Sequence, residues 1–402
     1  MPLDDAISLM LNSITPISMK ESVLLTSCLG RIIATDIKSP LNMPPFNNSA
    51  MDGYAIKAKD LKHTTVFNMV GTALAGVPCD AVVEKGECVR IMTGAVLPNN
   101  CDSVVMQELV EVDNTKISIN HAIKAGNCVR HCGSEFALGE TVLTKGQVIT
   151  ARHIALIASL GLKEVDVFKK LTVGIFSTGD ELVALGEPLE SGQIFDSNRF
   201  AIIAQLQKMN ISVVDYGVVK DDPILIKKTF EQANLEVDVV ITSGGVSVGE
   251  ADFTKDILQE VGDIAFWKIA MKPGKPMAYG KLKDSLFFGL PGNPVSAMVT
   301  FYQLAKPALQ KLSGKTLEKP LRFSAILKNE IKKKAGRLEF QRGVASTNKN
   351  GELVVSISNS QSSGMVSSMC NANCFIVLPQ EQENVDVGEH VIIELFDSNL
   401  QG

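Results

Sequence analysis

The sequence predicts a multidomain protein of α/β plus β class, built around a doubly wound, mostly parallel sheet. Three observations predict it. Between residues 171 and 312, short apolar runs alternate with helical stretches, the rhythm of parallel strands with helices on both faces. Residues 54–145 and 320–402 instead carry short β-type runs broken by Gly, Pro and Asn. A chain of 402 residues is also long enough for two or three domains or more.

Taken in order, residues 5–13 read as an amphipathic helix with Asp4 or Asp5 near its N-cap. Residues 20–40 have room for a second helix and an extended piece, and Pro44-Pro45-Phe46-Asn47-Asn48 punctuates the chain. Strand-like runs follow at Thr65–Val70, Glu87–Met92, Ser103–Glu108 and Lys116–Asn120. Ala151–Leu162 is helical again, with the N-terminal helix as its expected partner, which would make the first domain discontinuous. The central segment reads as strand Leu171–Ser177, helix Asn198–Lys208, strand Ser212–Val219 and helix Pro223–Ala233. It continues with strand Asp238–Thr242, helix Phe253–Val261, and strands Ala265–Met271, Met277–Leu282 and Leu286–Leu290. It closes on a long helix, Pro294–Leu312, opened by proline in its first turn. Ser313–Lys319 is a linker. Short runs at Arg322–Leu327, Glu352–Ile357, Phe375–Leu378 and His390–Leu395 form the last β domain.

Composition narrows the functions. Hydrophobic residues make up 45% and charged residues 21%, and the net charge is -5. That is ordinary globular composition without the basic surplus of a nucleic-acid binder. No run approaches the roughly 18 apolar residues of a membrane span, and Met-Pro-Leu-Asp-Asp lacks the order of a signal peptide, so a cytoplasmic location is expected. The eight cysteines include the pairs Cys128/Cys132 and Cys370/Cys374. Their CxxxC spacing, even with His131 nearby, favours reduced structural thiols over a zinc knuckle.

Chemistry concentrates where ligands of such sheets bind, in loops after the strands. Thr242-Ser243-Gly244-Gly245 leads from a strand towards a helix, and its glycines permit a tight turn that presents N–H groups to an anion. The alternative is a plain βα turn. Gly289-Leu290-Pro291-Gly292-Asn293-Pro294-Val295-Ser296 repeats the arrangement at a second strand end. Asp180 and Glu181, with Asp221, Asp222 and Asp252, place carboxylates at strand ends. Taken singly they are N-caps; as a set they suit Mg²⁺. Lys268, Lys272 and Lys275, held by Pro273, Gly274 and Pro276, form an anion receiver. Arg337 and Arg342 offer planar donor forks, and the Gln361–Gly364 turn offers hydroxyls. Asn48–Tyr54 and Arg90–Ala95 read as turns.

Six motifs, in order, resemble the motif set of the molybdopterin molybdenumtransferases, the family that also holds the E domain of gephyrin. They are Pro44–Ala55, Arg90–Gly94, Ser177–Leu182, Ser243–Ser247, Lys272–Pro276 and Gly289–Ser296. The likeness runs from near residue 4 to the C-terminus. It implies an extended domain of two segments (1–45 and 146–170), a small β domain (46–145), an α/β molybdopterin-binding domain (171–316) and a C-terminal β barrel (317–402). It implies a reaction in which adenylylated molybdopterin and molybdate, with Mg²⁺ or another divalent cation, give molybdenum cofactor and AMP. By the same resemblance, Asp52, Thr93, Glu181, Asp221, Asp252, Lys268 and Lys272 are catalytic, with Glu181, Asp221 and Asp252 on the metal. Ser243, Gly244, Gly245, Pro291, Gly292, Asn293 and Pro294 bind pterin and phosphate. Lys275, Pro276, Ser296, Arg342 and Ser363 resemble the molybdate pocket. A homodimer is implied, with Asp52 and Thr93 entering the cleft from the second subunit, and a transient contact with the molybdopterin adenylyltransferase. Asn47 stands where the family commonly has Asp.

Two rival readings remain on sequence. The α/β segment alone resembles molybdopterin-adenylylating enzymes and competence-damage-type nucleotide hydrolases, which lack the motifs of 40–145 and 320–402. The gephyrin E domain also shows the fold as a dimerising receptor-binding module.

Overall fold

The computed structural model describes residues 1–244, 253–358 and 360–396. The chain divides into two compact units, one of residues 1–34, 146–152 and 164–402, the other of residues 35–145 and 153–163.

The larger unit is organised by a six-stranded sheet. Its order is Ser212–Val219, Thr172–Thr178, Val239–Ser243, Leu286–Leu290, Pro276–Leu282, Gly262–Lys268. The first four strands are parallel, and Pro276–Leu282 runs antiparallel to both its neighbours, Leu286–Leu290 and Gly262–Lys268. Because side chains alternate across a strand, each parallel strand feeds two cores. Val173, Ile175, Val239, Ile241, Phe288 and Leu290 face helix Asn198–Lys208 and the helical segment from Pro294 to Leu312. Phe176, Val240 and Phe287 face helices Pro223–Glu236 and Phe253–Val261. The sheet is therefore covered on both sides, as its near-continuous apolar strands require. The closing helix passes through one π turn at Phe301–Ala305, immediately before Pro307, which is how a helix accommodates a residue with no N–H to donate.

Helix Leu3–Ser13 buries Leu3, Ala6 and Met10 in this same core and packs against Lys306–Leu312. The sequence reading paired it with the 151–162 helix; apolar area on the α/β core decided otherwise. Its N-cap is Pro2, with Asp4 and Asp5 in the first turn instead of at the cap. Residues 20–40 hold no α-helix. Lys20–Leu24 is a strand paired antiparallel with Glu164–Phe168, and Leu25–Ser27 is a single 3₁₀ turn. There, long-range pairing overrides weak helical preference.

The C-terminal strands close a barrel. Leu338–Thr347 pairs with Leu353–Ile357 on one side and Cys374–Leu378 on the other, and Arg322–Leu327 and His390–Leu395 complete the ring. Ala325, Leu327, Val355, Ile376 and Ile393 fill it. The two-residue strand Met271–Lys272 adds in parallel to the edge of Leu338–Thr347. That pairing draws the Lys-Pro-Gly-Lys loop of the α/β region onto the barrel.

In the smaller unit a six-stranded sheet runs in the order Ser103–Met106, Gly53–Ile56, Glu87–Ile91, Val66–Ala73, Lys116–Ser118, Glu111–Asp113. Tyr54, Phe67, Val105 and Ile117 lie in one of its clusters and Ala55, Val89, Ile91 and Val104 in the other. Gly53 is required by close approach: a Cβ there would stand 1.9 Å from the Val105 carbonyl oxygen. Among the described residues no helix is long and apolar enough to cross a membrane.

Candidate active site

The carboxyl ends of the parallel strands gather three of the predicted loops. Ser177 lies opposite Ser243, and Ser243 opposite Leu290. Gly244 donates to the Leu290 carbonyl at 3.1 Å, and its Cα lies 3.9 Å from where a Cβ of Gly292 would stand. Gly244 has φ +92, and a Cβ on it would meet the Thr178 carbonyl oxygen at 2.8 Å. The Ser-Thr-Gly-Asp, Ser-Gly and Leu-Pro-Gly-Asn-Pro loops are thus in mutual contact. Pro291 is buried, while Gly292 and Asn293 are exposed, and Pro294 opens helix Pro294–Thr300. Gly245 and Asp252 lie outside the described residues.

One residue holding these loops together escaped the sequence reading. Asn198, buried at the start of its helix, donates from Nδ2 to Ser243 Oγ at 2.9 Å and to the Gly292 carbonyl at 2.7 Å. A carbonyl can only accept, so the amide orientation is set and Oδ1 remains an acceptor. Asn198 Oδ1, Ser177 Oγ, Thr178 Oγ1 and Thr242 Oγ1 are all buried without a hydrogen-bond partner among the described residues. Buried polar atoms are normally satisfied, and these stand at or next to the sheet edge where ligands of this fold bind. The only sequence signal was an amide at a helix N-terminus beside the sheet.

Acids collect beside this edge. Asp221 N–H donates to Asp180 Oδ1 at 3.2 Å. Burial, followed by the negative charges of Asp180 and Glu181, raises the Asp221 carboxyl above the usual range. Glu181 is exposed, its carboxylate folded back near Gly179. Asp222 has the other role open to these acids: it caps helix Pro223–Glu236, accepting from Ile224 N–H at 2.7 Å and Leu225 N–H at 3.2 Å. Asp222→Ala is therefore expected to cost about 1 kcal/mol, lowering Tm by about 3 °C in a thermal melt without changing turnover. Among the described residues no cluster of three His, Cys, Asp or Glu has closed metal-binding geometry.

A second constellation is a cavity of about 580 Å³ between the Lys-Pro-Gly-Lys loop, helix Pro294–Thr300 and the barrel strand Leu338–Thr347. Lys272, Lys275, Pro276, Ser296, Arg342 and Ser363 all line it, as do Lys332, Arg337, Glu339, Gln341 and Gln361. Gly274, at φ +99, packs against the helix: a Cβ would meet Thr300 Oγ1 at 2.5 Å. Val295 N–H donates to the Ser363 carbonyl at 3.0 Å, so Ser363 is tied to the helix start. Arg342 is 1% exposed. It donates to Ser368 Oγ at 3.2 Å and to the Ser360 and Ser362 carbonyls at 3.4 and 3.2 Å. Gln361 clamps its backbone, accepting from Arg342 N–H and donating to the Arg342 carbonyl. Among the described residues no carboxylate pairs with this guanidinium, and burial pulls it down to about 10. A buried cation without a counter-charge is costly; an anion in the cavity would supply one. Lys268, exposed at the end of the edge strand, is not among the lining residues.

In the smaller unit, Asp52 and Thr93 meet. Asp52 Oδ1 accepts from Thr93 N–H and from Thr93 Oγ1, each at 2.7 Å. The backbone bond, then the hydroxyl bond, with the Arg90 charge, hold the Asp52 carboxyl below its usual range against slight burial. Arg90 donates to the Gly53 carbonyl at 2.8 Å and to Gln107 Oε1, and lies 5.0 Å from the Tyr54 ring centroid. The two motifs read as separate turns are one constellation. Asn47 Oδ1 accepts from Cys132 N–H at 2.8 Å, which an Asp carboxylate would also do, so the neutral amide keeps the turn. All eight cysteines are free thiols.

Comparison with known proteins covers nearly the whole chain. Residues 1–161 match the family described as MoeA N-terminal region (domain I and II), residues 174–311 the probable molybdopterin binding domain, and residues 324–396 the MoeA C-terminal region (domain IV). The chain is 46% identical over 400 residues to the molybdopterin molybdenumtransferase of Haemophilus influenzae, covering 99% of both. It is 34% identical to a gephyrin of Dictyostelium discoideum over 97% of this chain and 61% of that protein. A crystal structure of a molybdopterin biosynthesis moeA protein from Pyrococcus horikoshii OT3 matches with TM-score 0.86 at 30% identity, covering 98% of this chain and 100% of that one.

Proposed function

The chain belongs to the molybdopterin molybdenumtransferase family and is an enzyme of that class, and from that premise we propose that it inserts molybdate into adenylylated molybdopterin, releasing AMP and forming molybdenum cofactor. The observation that carries this reading is the cavity in which buried, carboxylate-free Arg342 stands with Lys272, Lys275 and Ser296. Molybdate is a dianion, and a guanidinium fixed through Nε and Nη2, with Nη1 uncommitted among the described residues, suits it together with two lysines.

The residues divide the work. Arg342, Lys272 and Lys275 hold the oxyanion, and Ser296 Oγ and the Ser363 turn add neutral polar groups at its rim. Gly244 and Pro291–Pro294 cradle the phosphate and pterin, with Asn198 keeping the two loops in register. Glu181 and Asp221 fit a divalent cation: both supply hard oxygens, and Asp221 is raised by the crowding of negative charge that a cation would relieve. Asp252, outside the described residues, would complete the set. When bound, Mg²⁺ would neutralise charge on the phosphates as the phosphoanhydride breaks. Lys268, Asp52 and Thr93 act at the cleft, with Asp52 and Thr93 reaching it from the second subunit of a homodimer. In this reading the chain is cytoplasmic and has four domains, at 1–45 with 146–170, 46–145, 171–316 and 317–402. It meets the adenylyltransferase transiently to receive its substrate.

The deciding assay follows AMP released from adenylylated molybdopterin with Mg²⁺, with and without molybdate. Molybdate-dependent AMP release together with new molybdenum cofactor is expected, and Lys272→Ala should abolish both. Tight nucleotide binding without release would refute insertion and favour a scaffold.

Asp221 gives a test with opposite signs. A carboxyl raised by folding adds stability at low pH that is lost as pH rises through its folded value. At about pH 7, Asp221→Asn should therefore raise the Tm of the metal-free protein slightly, by about a degree after solvent screening. The same change should remove most of the stabilisation given by millimolar Mg²⁺. Thermal melts in EDTA and in Mg²⁺ read both effects. A lower metal-free Tm with an unchanged Mg²⁺ response would refute the cation role.

A further inference from the structure

The oxyanion cavity is lined by a carboxylate that a pocket for a bare dianion would not need. Glu339 is 6% exposed and Gln341 7% exposed, on strand Leu338–Thr347. Glu339 Oε1 lies 3.2 Å from Lys272 Nζ. Gln341 Nε2 donates to Glu339 Oε2 at 3.1 Å. A carboxylate only accepts, so this bond sets the amide orientation. Gln341 Oε1 is then a buried acceptor, without a partner among the described residues and closed to the cavity. Both residues line the cavity together with Lys272 and Arg342.

A bound oxyanion on Lys272 Nζ shares that ammonium with Glu339. Two oxygens each at hydrogen-bond distance from one nitrogen stand within about 6 Å of each other. A fully deprotonated oxyanion there faces the Glu339 carboxylate, which Gln341 Nε2 holds in place, with no proton to set between them. An oxyanion carrying a hydroxyl donates to that carboxylate.

We propose that Glu339 and Gln341 make this cavity select an oxyanion that can carry a proton, and thereby separate molybdate from sulfate. The two anions share charge and tetrahedral shape, so lysines and arginine alone discriminate poorly between them. They differ in basicity and coordination. Molybdate takes up a proton, and adds water to its metal, far more readily than sulfate does. A carboxylate set against a ligand oxygen with no proton between them rejects the wrong anion by repulsion, which is the strong form of selectivity. Glu339 acts here as a specificity-determining residue, not as a donor to the anion. The inference rests on the oxyanion reading of the cavity.

The test uses the full chain, with molybdate and sulfate salts as the probes, and calorimetric titration of each. Wild type should bind molybdate at least about tenfold more tightly than sulfate. Glu339→Gln keeps the shape, removes the charge and supplies a donor; it should retain molybdate and bring sulfate to within a few-fold. Gln341→Leu, which leaves Glu339 in place, should narrow the gap in the same direction and serves if Glu339→Gln does not fold. An unchanged molybdate-to-sulfate ratio in both variants, including an equal loss of both anions, overturns the proposal and leaves Glu339 as a positioning partner of Lys272. Equal binding of the two anions by wild type also overturns it while sparing the oxyanion site. Wild type that binds neither anion refutes the site itself.

Discussion

Arg342→Met is expected to weaken molybdate binding on the order of 100-fold or more while the chain stays folded. The argument begins with burial. Arg342 is 1% exposed and carries a charge matched by no carboxylate among the described residues. Its neutral hydrogen bonds to Ser368, Ser360 and Ser362 hold the fork in one orientation. Two effects oppose each other when it is replaced by an apolar chain of similar length. Carbonyls lose donors, which destabilises; a desolvated charge disappears, which stabilises. The unliganded Tm should accordingly move by no more than the equivalent of about 2 kcal/mol. Binding has no such compensation, since the oxyanion loses its only buried cation in the cavity. Lysine should not rescue it, because an ammonium cannot bond Ser368, Ser360 and Ser362 and still present a donor to the anion. The pH dependence has a defined sign. Burial lowers the guanidinium to about 10, so its cost to the unliganded fold is present at neutral pH and fades as pH rises past that value. Molybdate affinity should fall over the same range. Retained affinity in Arg342→Met, measured by titration, would remove the cavity from the proposed mechanism.

The same arginine shows what was hard to read from sequence. The parallel strands and their helices were legible because apolar runs and helical stretches alternate, and helix Asn198–Lys208 and strand Ser212–Val219 fall where expected. Strand Leu338–Thr347 was not expected, although it is the longest in the barrel. Its positions from Glu339 to Gly343 are all buried, polar Glu339, Gln341 and Arg342 with apolar Phe340, so the in-and-out alternation that marks a half-buried strand is lost there. Residues placed for chemistry erase the pattern that would reveal the element holding them. Asn198 was missed for a related reason: at a helix start it looks like a cap, and its bonds to Ser243 and Gly292 join segments 45 and 94 residues away. The contact between Asp52 and Thr93 spans 41 residues, and no local rule links two turns so far apart. Motif resemblance did reach Asp52, Thr93 and Arg342, because it compares whole chains and is indifferent to local periodicity.

Gly244→Ala should separate stability from turnover. At φ +92 an alanine is strained wherever it points, and its Cβ would stand 2.8 Å from the Thr178 carbonyl oxygen. Backbone blocks backbone here, so no side-chain rotamer relieves the contact. The loop must move away from strand Thr172–Thr178. That motion stretches the Gly244 N–H bond to Leu290 and shifts Ser243, which Asn198 ties to the Gly292 carbonyl. All three predicted loops are thereby displaced from one edge. The global cost is local strain of about 1–3 kcal/mol, a loss of a few degrees in Tm. The catalytic cost is larger, because misplacing reacting groups by about 1 Å lowers rates on the order of 100-fold. Molybdate binding in the cavity lined by Arg342 should stay near the wild-type value, since Gly244 is not among its lining residues. Single-turnover AMP release and molybdate titration on the same preparation distinguish the outcomes. Normal AMP release in a folded Gly244→Ala chain would show that the strand edge is not where the nucleotide sits. Loss of both release and molybdate binding would mean that the two constellations are one mechanical unit.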